Sequence, residues 1–318
     1  MRTALALSGA LLVLVIPSTA YFQGAPNVVC QGHGGLVTSL AFTADSQNLL
    51  SGSTDGTVRL WNVLTARELR RLEGHKAPVR AVATASSGQL AASGGDDASV
   101  RLWDLATGRQ VRTFAGHEGG TRGLAFSRDN RFIASAGADG MVRIWDVGLG
   151  SEFRRLAGHS GAVNAVAWTT DGQRVVSGGA DRTVRIWDVG PGREAAKINA
   201  PEEVLALDLP STNRWVVVAG DKGLLRLFDL ANGREVRSFR GGQDAVRGVR
   251  FLPDNRLLVS GGSDELARLW EVETGRQVRQ FEPDAGAIHA VAAAPNGQRL
   301  ATAQADHTCR IHLVLAAR

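Results

Sequence analysis

Residues 177–188 read SGGADRTVRIWD, and most of the chain is this phrase repeated. Upstream it recurs as SAGADGMVRIWD at 135–146, SGGDDASVRLWD at 93–104 and SGSTDGTVRLWN at 51–62. Downstream come weaker copies: VAGDKGLLRLFD at 218–229, SGGSDELARLWE at 260–271 and TAQADHTCRIHL at 302–313. The residues at the tryptophan position are Trp61, Trp103, Trp145, Trp187, Phe228, Trp270 and His312, spaced by 42 residues with a single step of 41. A Gly-His pair keeps the same beat at His33, His75, His117 and His159. A fixed period of this length marks a propeller or a solenoid.

The copy that begins at Gly158 shows what one repeat builds. Residues 162–168, 173–179, 183–189 and 193–199 are short β-branched segments divided by turn residues, which predicts one four-stranded antiparallel sheet per repeat. Such a sheet cannot bury both faces alone, so neighbours must stack, and seven copies predict a closed ring. The array leaves no room for a second domain in 318 residues. The expected organisation is a leader over residues 1–20 and a seven-bladed, all-β propeller over 24–318.

The leader reading rests on Met1-Arg2-Thr3, a mostly apolar run over 4–16, and Pro17-Ser18-Thr19-Ala20. That is the layout of a secretory signal cleaved before Tyr21. The apolar run is short for a membrane span, and the alternative is an uncleaved anchor that borrows Tyr21 and Phe22. The expected location is therefore exported, periplasmic or extracellular, or else tethered by that anchor, with no other transmembrane segment.

A formal charge of +5 and a pI near 10 invite a nucleic-acid or membrane partner. However, seven of the 36 cations recur two residues before each tryptophan position, as Arg59, Arg101, Arg143, Arg185, Arg226, Arg268 and Arg310. They belong to the architecture. No aromatic-basic interleaving appears, so a nucleic-acid partner is not expected.

The Gly-His opening, the Asp six residues before Trp and the Trp-Asp close resemble the WD-repeat β-propeller family over nearly the whole chain after the leader. The resemblance implies that His, Ser/Thr, Asp and Trp of each blade form a buried hydrogen-bonded set. Carried over by position, the sets are His33-Ser51-Asp55-Trp61, His75-Ser93-Asp97-Trp103, His117-Ser135-Asp139-Trp145 and His159-Ser177-Asp181-Trp187. Blade six keeps Ser260, Asp264 and Trp270 with Gly242 for His. Blade seven keeps Thr302 and Asp306, with Asp284 and His312 at the outer positions. Blade five has Pro201, Val218, Lys222 and Phe228. Its Glu202, Glu203 and Lys222 mark either a specialised contact or a drifted repeat.

Ser, His and Asp together suggest a hydrolase triad. A catalytic constellation is needed once, whereas a buried set that fixes strand geometry is needed in every blade. No catalytic residue, metal site or cofactor is therefore expected.

The family closes its ring by pairing the chain ends. Here residues 27–31, ahead of the first Gly-His, match the fourth strand that the last repeat lacks. In the other blades, two residues 14 apart face across the third and fourth strands: Val58/Leu72, Val100/Phe114, Val142/Leu156, Val184/Ile198, Leu225/Phe239 and Ala267/Phe281. The equivalent pair in the closing blade is Cys309 and Cys30, the only cysteines of the chain. This predicts a disulfide stapling the ring; two buried thiols replacing an apolar pair is the alternative.

Function in such a ring sits on loops and around the central opening. Five residues after each histidine position stand Thr38, Arg80, Arg122, Asn164, Leu205, Arg247 and His289. In this family that position commonly faces partners. Three arginines and a histidine around one opening favour an acidic or carboxylate-bearing peptide; the competing reading is a solvated rim. The chain is expected to be a non-enzymatic, monomeric protein-interaction scaffold. The alternative is an enzyme or ligand-binding propeller that uses the funnel as an anion site.

Overall fold

The computed structural model describes residues 28–281 and 286–314; the expected leader over 1–20 and Asp284 lie outside them. Among the described residues there are 28 strands and no helix. They form seven four-stranded antiparallel sheets, each with its strands in chain order except the last. Blade four is representative, with strands Val163–Trp168, Arg174–Gly179, Thr183–Asp188 and Arg193–Asn199.

Burial follows from position in the sheet. The second strand of a blade has sheet neighbours on both sides and other blades against both faces, so it reads as a run of small and apolar residues. Leu49, Leu50, Ala91, Ala92, Ile133, Ala134, Val175 and Val176 are all fully buried. The fourth strand lies at the outside and exposes nearly everything except one inward residue, such as Leu72, Phe114 or Leu156. Each gap between blades holds one apolar cluster. Leu50, Val58 and Leu72 of blade one, for example, pack on Val79, Val82 and Trp103 of blade two.

The seventh sheet draws on both ends of the chain. Ile288–Ala293, Arg299–Gln304 and Cys309–Leu313 are joined by Val28–Cys30, which pairs antiparallel with the last of them. The ring therefore closes by a strand from the opposite terminus, and closure removes two sheet edges that would otherwise template association. Val28 and Cys30 pack into a cluster with Trp61 and Val63 of blade one. The 14-residue pairs expected across third and fourth strands are direct partners in all six other blades. Cys30 and Cys309 are partners in the seventh, and both are buried.

A chain beginning at Gly32 loses the closing strand and its buried side chains. Compared with a chain beginning at Tyr21, its thermal midpoint should fall by about 10 °C, and size-exclusion chromatography should show association through the freed edge of Cys309–Leu313. An unchanged midpoint and a monomeric profile would contradict the closure.

Candidate functional site at the channel mouth

The His-Ser-Asp sets come first, because their geometry is that of a triad. In blades one to four, His Nδ1 lies 2.9–3.0 Å from the Asp carboxylate. His Nε2 lies 2.7–2.8 Å from the Ser Oγ. The same Ser Oγ accepts the Trp indole N–H at 2.7–2.8 Å. An indole only donates and a carboxylate only accepts, so the proton order is fixed: Trp to Ser, Ser to His Nε2, His Nδ1–H to Asp. The imidazole is held neutral. Burial pushes the pKa of His33, His75, His117 and His159 below 6.5, despite the nearby carboxylates. Burial also raises the Asp97 carboxyl, but hydrogen bonds from His75, Ser99 and the Lys76 amide outweigh it and hold Asp97 at about 2. All four serines are 0% exposed. With its hydroxyl spent between Trp and His, none of them is open to a substrate.

The remaining blades fill the histidine slot by other means, which the repeat pattern did not reveal. At Gly137 an added Cβ would lie 2.1 Å from His117 Nδ1, so in blade three the second strand leaves no room beside the histidine. Blade seven has Gln304 at that position. Its buried amide donates to Thr302 Oγ1 at 3.2 Å, and His312 Nε2 sits 3.1 Å from the same hydroxyl in place of the indole. Burial lowers the His312 pKa to about 4. In blade six, Asp264 and Arg268 pair at 2.6 Å, and a Cβ on Gly242 would meet the Asp264 carboxylate at 2.5 Å.

Blade five differs from the alignment given above. Val204 starts its first strand as Val37 does in blade one, so Ala200, not Pro201, stands at the histidine position. Glu202 occupies the slot: a Cβ on Gly220 would lie 2.5 Å from its Cγ. Its carboxylate accepts the Lys222 amide at 3.0 Å and lies 3.5 Å from Arg226 Nε. Only 4% exposed, Glu202 is part of the framework and not a loop contact. The recurrent arginines likewise pair inside each blade, Arg59 with Glu68 at 2.6 Å and Arg226 with Glu235 at 2.8 Å. That accounts for seven of the 36 cations.

The rim positions share a cause. In every first strand the pairing register skips one residue, and the skipped residue is Thr38, Arg80, Arg122, Asn164, Leu205, Arg247 or His289. Each is a β-bulge, a device that re-aims one side chain out of the ladder. All seven line a single cavity of about 510 Å³ in the channel, on the face built by the loops entering first strands and the turns between second and third strands.

Their environments are unequal. Arg80 is committed: its Nε and Nη2 clamp Asp96 at 2.9 and 2.6 Å, which raises its pKa. Thr38 Oγ1 donates to the Gly52 and Val79 carbonyls. His289 is held below 6.5 by burial and by Arg247. By contrast, Arg122 donates to Asn164 Oδ1 at 2.8 Å, and Asn164 is itself fixed by Glu203 and the Val204 carbonyl. Arg247 donates to Ser263 Oγ at 3.0 Å. Neither Arg122 nor Arg247 has a carboxylate partner among the described residues. Both are charges oriented by neutral groups.

A further pair of ionisable residues lies deeper. Ala41, Ala83, Ala125, Ala167 and Ala292 mark one position of the first strands, and blades five and six place Asp208 and Arg250 there. Arg250 lines the cavity. Burial raises the Asp208 carboxyl against the pull of Arg250, and Asp208 accepts the Phe251 amide at 2.7 Å. Aligning the repeats column by column would have found this break.

The WD domain, G-beta repeat profile matches residues 24–62, 66–104, 108–146, 150–188, 233–271 and 275–312, passing over the blade that has Glu202 in its slot. The chain is also similar to a ribosome biogenesis protein BOP1 homolog of Monosiga brevicollis, with 43% identity over 49 residues. That match covers 15% of this chain and 6% of the relative, little more than one repeat.

The neutral histidines predict a pH dependence. Their folded pKa values lie below 6.5, so as pH falls through that value the unfolded chain takes up protons first. The stability they contribute is complete above pH 6.5 and is lost as pH falls through their lowered folded values; His312, held at about 4, adds a loss that runs down to there. Thermal unfolding should show a falling midpoint from pH 7.5 to pH 5, before the aspartates titrate. A flat profile over that interval would contradict buried neutral imidazoles.

Proposed function

Because the chain belongs to the WD domain, G-beta repeat family, we propose that it is a rigid, non-enzymatic scaffold whose channel mouth receives an acidic segment of another protein. The observation that carries this reading is the state of Arg122 and Arg247. Both stand at bulges on the wall of one cavity, both are oriented by neutral hydrogen-bond acceptors, and neither has a carboxylate partner among the described residues. A carboxylate entering the mouth gains charge-assisted hydrogen bonds from side chains that are already ordered, so little conformational entropy is lost. Arg80 contributes less, since binding through it must first displace Asp96.

The ring acts as a monomer in this reading and needs no moving part. Residues 1–20 direct it out of the cytoplasm, so the partner is an envelope or extracellular protein. If the leader is retained, the same ring is displayed from a membrane anchor.

A second reading takes the same cavity as a site for a small anionic ligand. The Asp208–Arg250 pair, which breaks the alanine column of the channel wall, favours it.

A fluorescent glutamate-rich decapeptide and free dicarboxylates distinguish the two readings. The peptide should bind with an affinity that falls steeply with salt, and Arg122→Ala with Arg247→Ala should weaken it at least about tenfold. Arg80→Ala should have a smaller effect. Equal binding by the double variant would remove the mouth from the account, and tight binding of a free dicarboxylate alone would favour the small-ligand reading.

A further inference from the structure

The ring is not held equally at every seam. On the outer rim, an arginine in the fourth strand reaches across to a carbonyl of the next blade. Arg70 reaches Ala106 O at 3.1 Å, Arg112 reaches Gly148 O at 2.8 Å and Arg154 reaches Gly190 O at 2.9 Å. Arg237 and Arg279 make the same clasp to Thr274 O and Leu313 O. The equivalent position is Ala196 in blade four and Val28 at the closing seam, and neither can make the clasp. Among the described residues the closing strand covers Val28–Cys30, against five to seven residues for the other fourth strands. Where the other blades pack a larger side chain opposite Val, Leu or Ala, this blade sets two small thiols face to face. The seam on which closure depends therefore lacks both the rim clasp and the large apolar pair.

We propose that Cys30 and Cys309 are joined by a disulfide that locks the ring at this seam. Directly opposed residues of an antiparallel pair have Cα atoms about 4.5–5.5 Å apart, inside the roughly 4.4–6.8 Å that a disulfide spans. Both side chains are at most 1% exposed. Cys309 shares a hydrogen bond with Cys30, and that bond together with burial pushes its thiol pKa well up. In the docked state Cys309 is thus not ionised and neither sulfur is reachable, so the bond forms while Val28–Cys30 is still arriving.

The chemistry is thiol–disulfide exchange with an external disulfide donor. The Cys30 thiolate attacks the donor, its S–S bond breaks, and one donor thiolate leaves with a mixed disulfide formed on Cys30. The Cys309 thiolate then attacks the Cys30 sulfur, the Cys30–Cys309 bond forms, and the second donor thiolate leaves. The two cysteines lose two electrons, the donor is reduced to two thiols, and the two cysteine protons pass to the departing thiolates. Once docked, the bond is shielded from reductants by the cluster around it.

Cell-free synthesis of the full chain in an oxidised/reduced glutathione buffer tests this. The soluble protein is denatured, alkylated with iodoacetamide and weighed. The expected species is monomeric, two hydrogens below the reduced mass and free of alkyl groups, with Cys30 and Cys309 peptides joined in the non-reducing map. Reduction in denaturant and refolding without the donor should lower its thermal midpoint by roughly 5–10 °C. The variant Cys309→Val with Cys30→Leu, which installs the pair used by other blades, should give one midpoint whatever the redox treatment. Two alkylated cysteines, glutathione adducts or disulfide-linked dimers would each overturn the proposal.

Discussion

Each of the first four blades depends on a hydrogen-bonded chain that can run in only one direction. The indole of Trp61, Trp103, Trp145 or Trp187 donates to a buried serine, and the serine donates to a histidine. The histidine then donates to an aspartate, whose carboxylate also caps the turn beyond, as Asp55 does for the amides of Gly34 and Thr57. The chain ties the third strand to the second, and the loop entering the first strand to the turn between second and third. A broken link leaves buried donors or acceptors unpaired, at about 1–3 kcal/mol each.

With those turns fixed, the sheets stand upright and can bury their faces only against one another, which makes the ring the unit of stability. Two consequences follow. The ring must close, and it does so by pairing Val28–Cys30 with the last strand from the other end of the chain. The inner strands must also release one residue each at the mouth, and the seven bulges do so at one level. A repeated framework thereby carries a non-repeated set of side chains, and the chemistry of the mouth is free to vary while the blades stay alike.

The framework was legible in the sequence because it repeats. The strand segments of blade four, the cross-strand pairs such as Val58/Leu72, and the opposition of Cys30 to Cys309 all follow from one period. The rim positions were legible as a column, although not as bulges. What escaped was how blades five, six and seven fill the histidine slot. A motif tracks residue types at fixed positions, but the slot is a volume with hydrogen-bonding needs. Glu202 fills it from two residues past the histidine column, Gln304 from the second strand, and Asp264 with Arg268 from the third-strand side. The pairing of Arg80 with Asp96 was hidden for a similar reason, since it depends on the turn bringing Asp96 beside the bulge.

The directional chain has a direct spectroscopic signature in the nitrogen resonances of the histidine rings. In uniformly ¹⁵N-labelled protein at pH 6, His33, His75, His117 and His159 should appear as neutral imidazoles protonated on Nδ1, with ring protons that exchange slowly with water. Imidazoles that titrate near 6.5 with rapidly exchanging protons, or that carry the proton on Nε2, would contradict the account.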